Sequence, residues 1–320
     1  MRGFLKHLML VCTVSLAVTT SALAKTTAEA RRLEDLALSV MLDGQLRVMR
    51  VADPIRTAGA PLCGNEVGPV FGAFALDQYS LPHLFGAQVS MAPFVDAVQE
   101  RFRLGRSLRV VAVLPGSPAD HAGLRRGDRV TRIAGKKLRA RTLLDALKGG
   151  EAGVPLQITV ERLSGAKELE IQPSRGCAVP ARFMFGADIN AYATRHSDLT
   201  GMYVFSGMLR FLPSDDDLAV VMGHELAHLI LRHNGAMRTS RRFEADADYL
   251  GLYLAARAGF DISKAPELWD RFTRMSPYAM IDRGVYSHPT SPARALALQE
   301  TLAEIADKRA RGEPLLPEHP

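Results

Sequence analysis

The chain has 320 residues, 47% of them hydrophobic and 23% charged, with a formal net charge of +6. That length and apolar fraction exclude a disordered tail and allow two domains, or one large domain with an insertion. The charge is mild, and its arginines are scattered without interleaved aromatics, which argues against a nucleic-acid surface.

The amino terminus reads Met1-Arg2-Gly3-Phe4-Leu5-Lys6, then an apolar stretch from Leu8 to Val18, then Ser21-Ala22-Leu23-Ala24. A basic start, a short apolar core and an A-x-A-like site predict a signal peptide over 1–24, with Lys25 as the first mature residue. The apolar run falls short of the roughly 20 residues of a membrane span, so no integral span is expected after cleavage. The expected location is outside the cytoplasm, in the periplasm of a Gram-negative bacterium. Cys12 follows Val11 rather than a small residue, which argues against lipid anchoring. Without the leader, Cys63 and Cys177 remain, an even pair that in an exported chain predicts a disulfide.

From Ala28 to Arg56, Leu33, Leu36, Val40, Leu46 and Val51 recur at helical spacing, with an interruption expected near Gly44. Residues 57–80 are rich in Gly and Pro and are expected to be largely irregular. A further helix is predicted over Ala92 to Arg103.

The segment from Val110 to Lys136 then reads as a strand, a Pro115-Gly116 turn, a short helix from Ser117, a Gly127-Asp128 turn and a second strand ending at Gly135. It resembles the bacterial PDZ domain, whose GSPA…AGL..GD.I..I.G pattern it matches almost throughout. The resemblance covers residues 104–173 and implies a groove helix over Arg141 to Lys148, with closing strands over Leu156 to Arg162 and Lys167 to Gln172. Such domains bind an extended peptide as an added strand, often a free carboxyl terminus. The nearest candidate for the carboxylate loop is Phe102-Arg103-Leu104-Gly105, which departs from the usual Gly-rich form. A spacer role for this segment stays open.

Asp188 to Ala193 and Gly201 to Phe205 read as two strands of a hairpin turning through Arg195 to Thr200. Ser214-Asp215-Asp216-Asp217 then caps a helix that is apolar from Leu218 to Leu231 except at His224, Glu225 and His228. This is an HExxH pattern. A helix advances about 100° and 1.5 Å per residue, so the two histidines share a face about one turn apart, the bite that one zinc ion needs. Glu225 stands beside them, able to take a proton from metal-bound water. The bare pattern also fits a core helix with two satisfied histidines, but leaving three ionisable groups without partners in so apolar a helix is costly. His233 is badly placed as a third ligand, about 140° off the metal face unless the helix breaks. Phe243 to Gly259 reads as another helix with Glu244 and Asp248 four apart on one face, and Gly251 and Ala255 extend that stripe with small side chains. Glu244 is the better third ligand, and Asp248 is suited to orienting a ligand histidine.

The runs NAYA, YVFSGMLRF, DDDLAVVMGHELAHLILRH, EADADYLG and SHPTSPAR resemble the M48 peptidases, the group that includes the Ste24 and HtpX enzymes, over residues 174–300. The resemblance implies Glu244 as third zinc ligand and Asp248 as its supporting aspartate. It also implies that His288 approaches the metal, to stabilise the tetrahedral intermediate or to occupy the water position, while Arg294 anchors the same loop. The expected fold is α+β: a mainly helical gluzincin-type domain with a small sheet over 174–320, a PDZ domain over 104–173, and a helical segment over 25–103 packing on the peptidase part. The expected activity is that of a metalloendopeptidase with one zinc ion per chain. His224, His228 and Glu244 would hold the metal, and Glu225 and His288 would serve catalysis. Its partners would be exported, misfolded or unassembled proteins, with carboxyl termini entering the PDZ groove. Met202 to Phe205 is a candidate for pairing with substrate backbone, with Asn190 a further contact. Alternatives are a zinc-stabilised chaperone and a hydrolase of non-protein amides.

Overall fold

A computed structural model describes residues 2–79, 92–138, 153–195, 200–233, 241–275 and 292–319. Helix α1 (Arg2–Gly59) runs without the interruption expected at Gly44. A Cβ added at Gly44 would lie 2.5 Å from the Phe183 ring, so this glycine lets the helix press onto that ring rather than breaking it. Leu38, Met41, Val48, Val51, Ala52 and Ile55 form its buried stripe, at helical spacing, in the larger of two cores.

The stretch over 57–80, expected to be irregular, holds strands β1 (Val67–Val70) and β2 (Ala73–Leu76). Both pair with partners far along the chain, which a local reading of Gly and Pro content cannot see. β1 joins β8 (Ser174–Cys177), with Val67 opposite Cys177. Beside this pair Cys63 and Cys177 form a disulfide, their Cα atoms 5.7 Å apart.

β2 belongs to an antiparallel sheet with β3 (Leu108–Val113), β4 (Arg129–Ile133), β6 (Leu156–Arg162) and β7 (Gly165–Ile171), in the order β2-β3-β4-β6-β7, while β5 (Lys136–Lys137) pairs with β4. The sheet thus draws in a strand well before residue 104. The second core lies on it, around Val110, Leu124, Val130, Ile158 and Leu169. Helix α2 (Ala92–Arg101) leads into β3, and the short helix α3 (Pro118–His121) is capped by Ser117, whose Oγ accepts from the Asp120 N–H. Phe102 and Leu104 are buried in the larger core, so the stretch 102–105 is a packed turn rather than a carboxylate loop. The expected groove helix over 141–148 lies outside the described residues.

A three-stranded sheet follows, in the order β10-β11-β9, built from β9 (Ala181–Met184), β10 (Ala191–Thr194) and β11 (Gly201–Phe205). β10 and β11 form the expected antiparallel hairpin, and β9 adds in parallel on the other side of β11. Helices α4 (Ser206–Phe211), α5 (Asp215–Ile230), α6 (Arg241–Arg257), α7 (Ala265–Met275) and α8 (Pro292–Ala310) complete the larger unit. β10 lies along α5, and α1 packs on α5, α6 and β9. Among the described residues no helix is long and apolar enough to cross a membrane.

Candidate metal centre

Helix α5 starts where the sequence places it. The Ser214 Oγ accepts from the Asp217 N–H at 3.0 Å, and three aspartates occupy the positive end of the helix dipole. Arg47 of α1 fixes this start from outside. Its guanidinium donates to Asp215 Oδ1 at 3.0 Å and to the carbonyls of Leu209, Leu212 and Ser214 at 2.8, 2.6 and 2.9 Å. Every residue from Leu218 to Leu229 is buried.

Two glycines set the approach of α6. A Cβ on Gly223 would meet the Gly251 carbonyl oxygen at 2.4 Å, and one on Gly251 would meet the His224 nitrogen at 2.7 Å, so the two backbones touch where no side chain fits. This contact brings Glu244 to the histidines. Its Oε2 lies 3.5 Å from His224 Nε2 and its Oε1 lies 3.4 Å from His228 Nε2, while the two Nε2 atoms are 3.0 Å apart. Ligand atoms of His224, His228 and Glu244 all lie within 4.8 Å of one another, and all three residues are buried. Two imidazole nitrogens and one carboxylate form a donor set that suits zinc and leaves a fourth position. Glu225, also buried, adjoins His224 on α5.

Charge points the same way. The buried carboxyl groups of Glu225, Glu244 and Asp248 are accompanied by one buried guanidinium, Arg294, an imbalance that a divalent cation would offset. Asp248 Oδ1 meets His224 Nδ1 at 2.9 Å, which turns Nε2 toward the centre. Arg294 donates to Asp248 Oδ2 at 2.7 Å and to Oδ1 at 2.8 Å, and reaches Glu244 Oε2 at 3.1 Å. Burial opposes charge on His224, but its hydrogen bonds to Asp248 and Glu244 outweigh that and push its pKa up to about 10. Burial likewise opposes ionisation of Asp248, yet Arg294 and His224 hold its carboxyl below the usual range. Arg294 therefore sits on the acidic pair of α6, at the start of α8. His288 lies outside the described residues.

Two participants escape the sequence reading. Trp269 of α7 stands edge-on to His224, ring centroids 5.9 Å apart, with the Arg294 guanidinium 5.6 Å from the indole centroid. His233, set aside because a continuous helix would carry it away, returns because the helix ends: Arg232 takes φ 55° and His233 Nδ1 comes to 3.0 Å from His228 Nδ1. The sequence signal was the Asn234-Gly235 pair after the apolar run. Burial pushes the His233 pKa down.

Met202 to Phe205, expected to pair with substrate, is the centre of its sheet, with β10 on one side and β9 on the other. The outer edge of β9 is engaged by Gln45, which donates to the Ala181 carbonyl and accepts from the Phe183 N–H. The Asn190 carbonyl accepts from the Phe205 N–H. Among the described strands, β10 is a terminal strand of its sheet with no second strand neighbour, and it lies along α5.

Residues 181–239 and 234–302 match Peptidase family M48, and residues 109–162 match the PDZ domain. The mitochondrial metalloendopeptidase OMA1 of Schizosaccharomyces pombe is 28% identical over 144 residues, covering 34% of this chain and 43% of the relative. OMA1 of Arabidopsis thaliana is 28% identical over 130 residues, covering 30% of this chain and 27% of the relative. The chain thus spans less than half the length of these relatives. A solved HtrA3 PDZ domain bound to a phage-derived ligand is 18% identical, covering 34% of this chain and 88% of that one, with a TM-score of 0.24. The relatives are mitochondrial proteins, which overturns the expected periplasmic location. A basic start followed by a short apolar stretch does not name a compartment, and residues 2–24 continue into α1 without a break. The matches and the fold agree: the chain carries a peptidase domain of family M48 joined to a PDZ domain.

Proposed function

We propose that the chain is a zinc-dependent endopeptidase acting on non-native protein segments. The observation that carries this reading is the buried convergence of His224, His228 and Glu244 within 4.8 Å, with Glu225 beside them. These three residues would hold the ion, which when bound supplies Lewis acidity toward a water and the scissile carbonyl. Glu225 takes the proton of the attacking water and returns it to the leaving amine nitrogen. Asp248 fixes the ring of His224, and Arg294 fixes Asp248. The family resemblance adds His288 as a donor toward the developing oxyanion.

Substrate enters this reading as an extended segment. The edge of β10 that has no strand neighbour among the described strands, along the helix of His224 and His228, would offer main-chain hydrogen bonds to an extended segment whose own N–H and C=O groups are unpaired, which selects unfolded or unassembled protein. In the PDZ unit β2 is the terminal strand of its sheet, preceded by Phe71 and by Gly72 at φ 71°. A Cβ on Gly72 would lie 2.2 Å from the Ser117 Cβ, so the turn requires glycine. We place a substrate carboxyl terminus against this turn, with the peptide running along β2.

Glu225→Gln tests the chemistry. Cleavage of denatured casein should fall by at least about 100-fold, the usual worth of a general base, while zinc content stays at that of the parent. Activity near the parent level would overturn the assignment. Peptides with free and amidated carboxyl termini test the PDZ placement, and equal affinity for both would reject it.

A further inference from the structure

We infer that His233 is a positioning residue that fixes the ring of His228 for the metal. The inference rests on the zinc reading above and extends it to a residue outside the ligand set. Asp248 orients only His224; within the described contacts, the second nitrogen of His228 faces His233 at 3.0 Å. With Nε2 of His228 turned to His224 and Glu244, a neutral ring keeps its proton on Nδ1 and donates it to Nδ1 of His233.

The cap that ends the helix brings about this contact. Helix α5 ends at Ile230, the Leu231 N–H still bonds the Ala227 carbonyl, and Arg232 adopts φ 55°, a conformation unfavourable for a side chain of its size. The His233 N–H then bonds the His228 carbonyl at 3.0 Å, which folds its ring back over the helix end. On its other side the His233 ring stacks on Phe243, centroids 4.3 Å apart and planes 13° apart. Phe243 directly precedes Glu244. One imidazole thus braces both helices that deliver ligands, by a hydrogen bond to α5 and by a face contact to α6.

Three variants separate these contacts. His233→Phe keeps an aromatic face toward Phe243 and loses the acceptor, His233→Ala loses both, and His233→Asn places an amide oxygen near the lost Nδ1. Zinc affinity is read by chelator competition, and ligand geometry by the visible absorption of the cobalt-loaded protein, with folding checked by circular dichroism. The Phe and Ala variants should bind zinc about 10–100-fold more weakly and shift the cobalt bands. Asn should restore both toward the parent. Parent-like affinity and spectra in Phe and Ala overturn the inference, as does an Asn variant no better than Phe. Failure of the parent itself to bind zinc would instead overturn the underlying metal reading.

Discussion

Arg294 grips Asp248 at both oxygens, at 2.7 and 2.8 Å, and each residue is at most 4% exposed. Removing one partner of such a buried pair strands the other and costs about 3–5 kcal/mol. Arg294→Leu is therefore expected to lower the urea unfolding free energy by about that amount. Arg294→Lys keeps the charge but not the fork and should fall between. Combining Arg294→Leu with Asp248→Asn should recover part of the loss. An Arg294→Leu protein as stable as the parent would remove the pair from the stabilising set.

Gly251 and Gly223 give a second prediction. The methyl of Gly251→Ala would enter the backbone of the facing helix at Gly223 and His224, and backbone cannot rotate away as a side-chain tip does. Overpacking of this kind costs about 1–3 kcal/mol. The displacement also falls on His224, so zinc affinity should drop together with the melting temperature. A variant that loses stability and binds zinc as the parent does would show that the helix spacing does not set the ligand geometry.

The parts of the site that the sequence made legible are those set by local geometry. Ser214 follows from cap preference, and the four-residue steps from His224 to His228 and from Glu244 to Asp248 follow from helical periodicity. The errors arise where the partner is distant. β11 looked like a substrate edge because β9, about twenty residues upstream, was not recognised as its second neighbour. β2 was hidden because its partner β3 follows only after α2. Gly44 looked like a break because the Phe183 ring it accommodates lies far along the chain. His233 was misplaced by carrying α5 three residues past its end at Ile230, through the turn at Leu231 and Arg232.

Acid sensitivity should trace to the start of α5. Burial works against ionisation of Asp215, but Arg50 and Arg47 outweigh it and hold its pKa below the ordinary value. A depressed folded pKa adds stability above the unfolded value, about 3.9, and that contribution is lost as the pH falls through the folded value. The melting temperatures of the parent and Asp215→Asn should therefore differ at pH 7 and converge as the pH drops below about 4. A gap unchanged down to pH 3 would mean that the pair with Arg47 and Arg50 contributes nothing through charge.

Trp269 offers a direct optical test of the metal site, because it is the chain's single tryptophan and its ring lies 5.9 Å from that of His224. Zinc has a filled d shell and cannot accept excitation energy, whereas cobalt(II) in the same ligands absorbs visible light and is paramagnetic. Cobalt(II) should quench most of the tryptophan emission and saturate at a single equivalent, while zinc added first should block the quenching. His224→Ala and Glu244→Ala should both lose the effect at the same cobalt concentration, since each removes a ligand, and Glu244→Ala does so without removing the ring that packs on the indole. Quenching that survives either substitution, or that zinc does not prevent, would place the ion elsewhere than between α5 and α6.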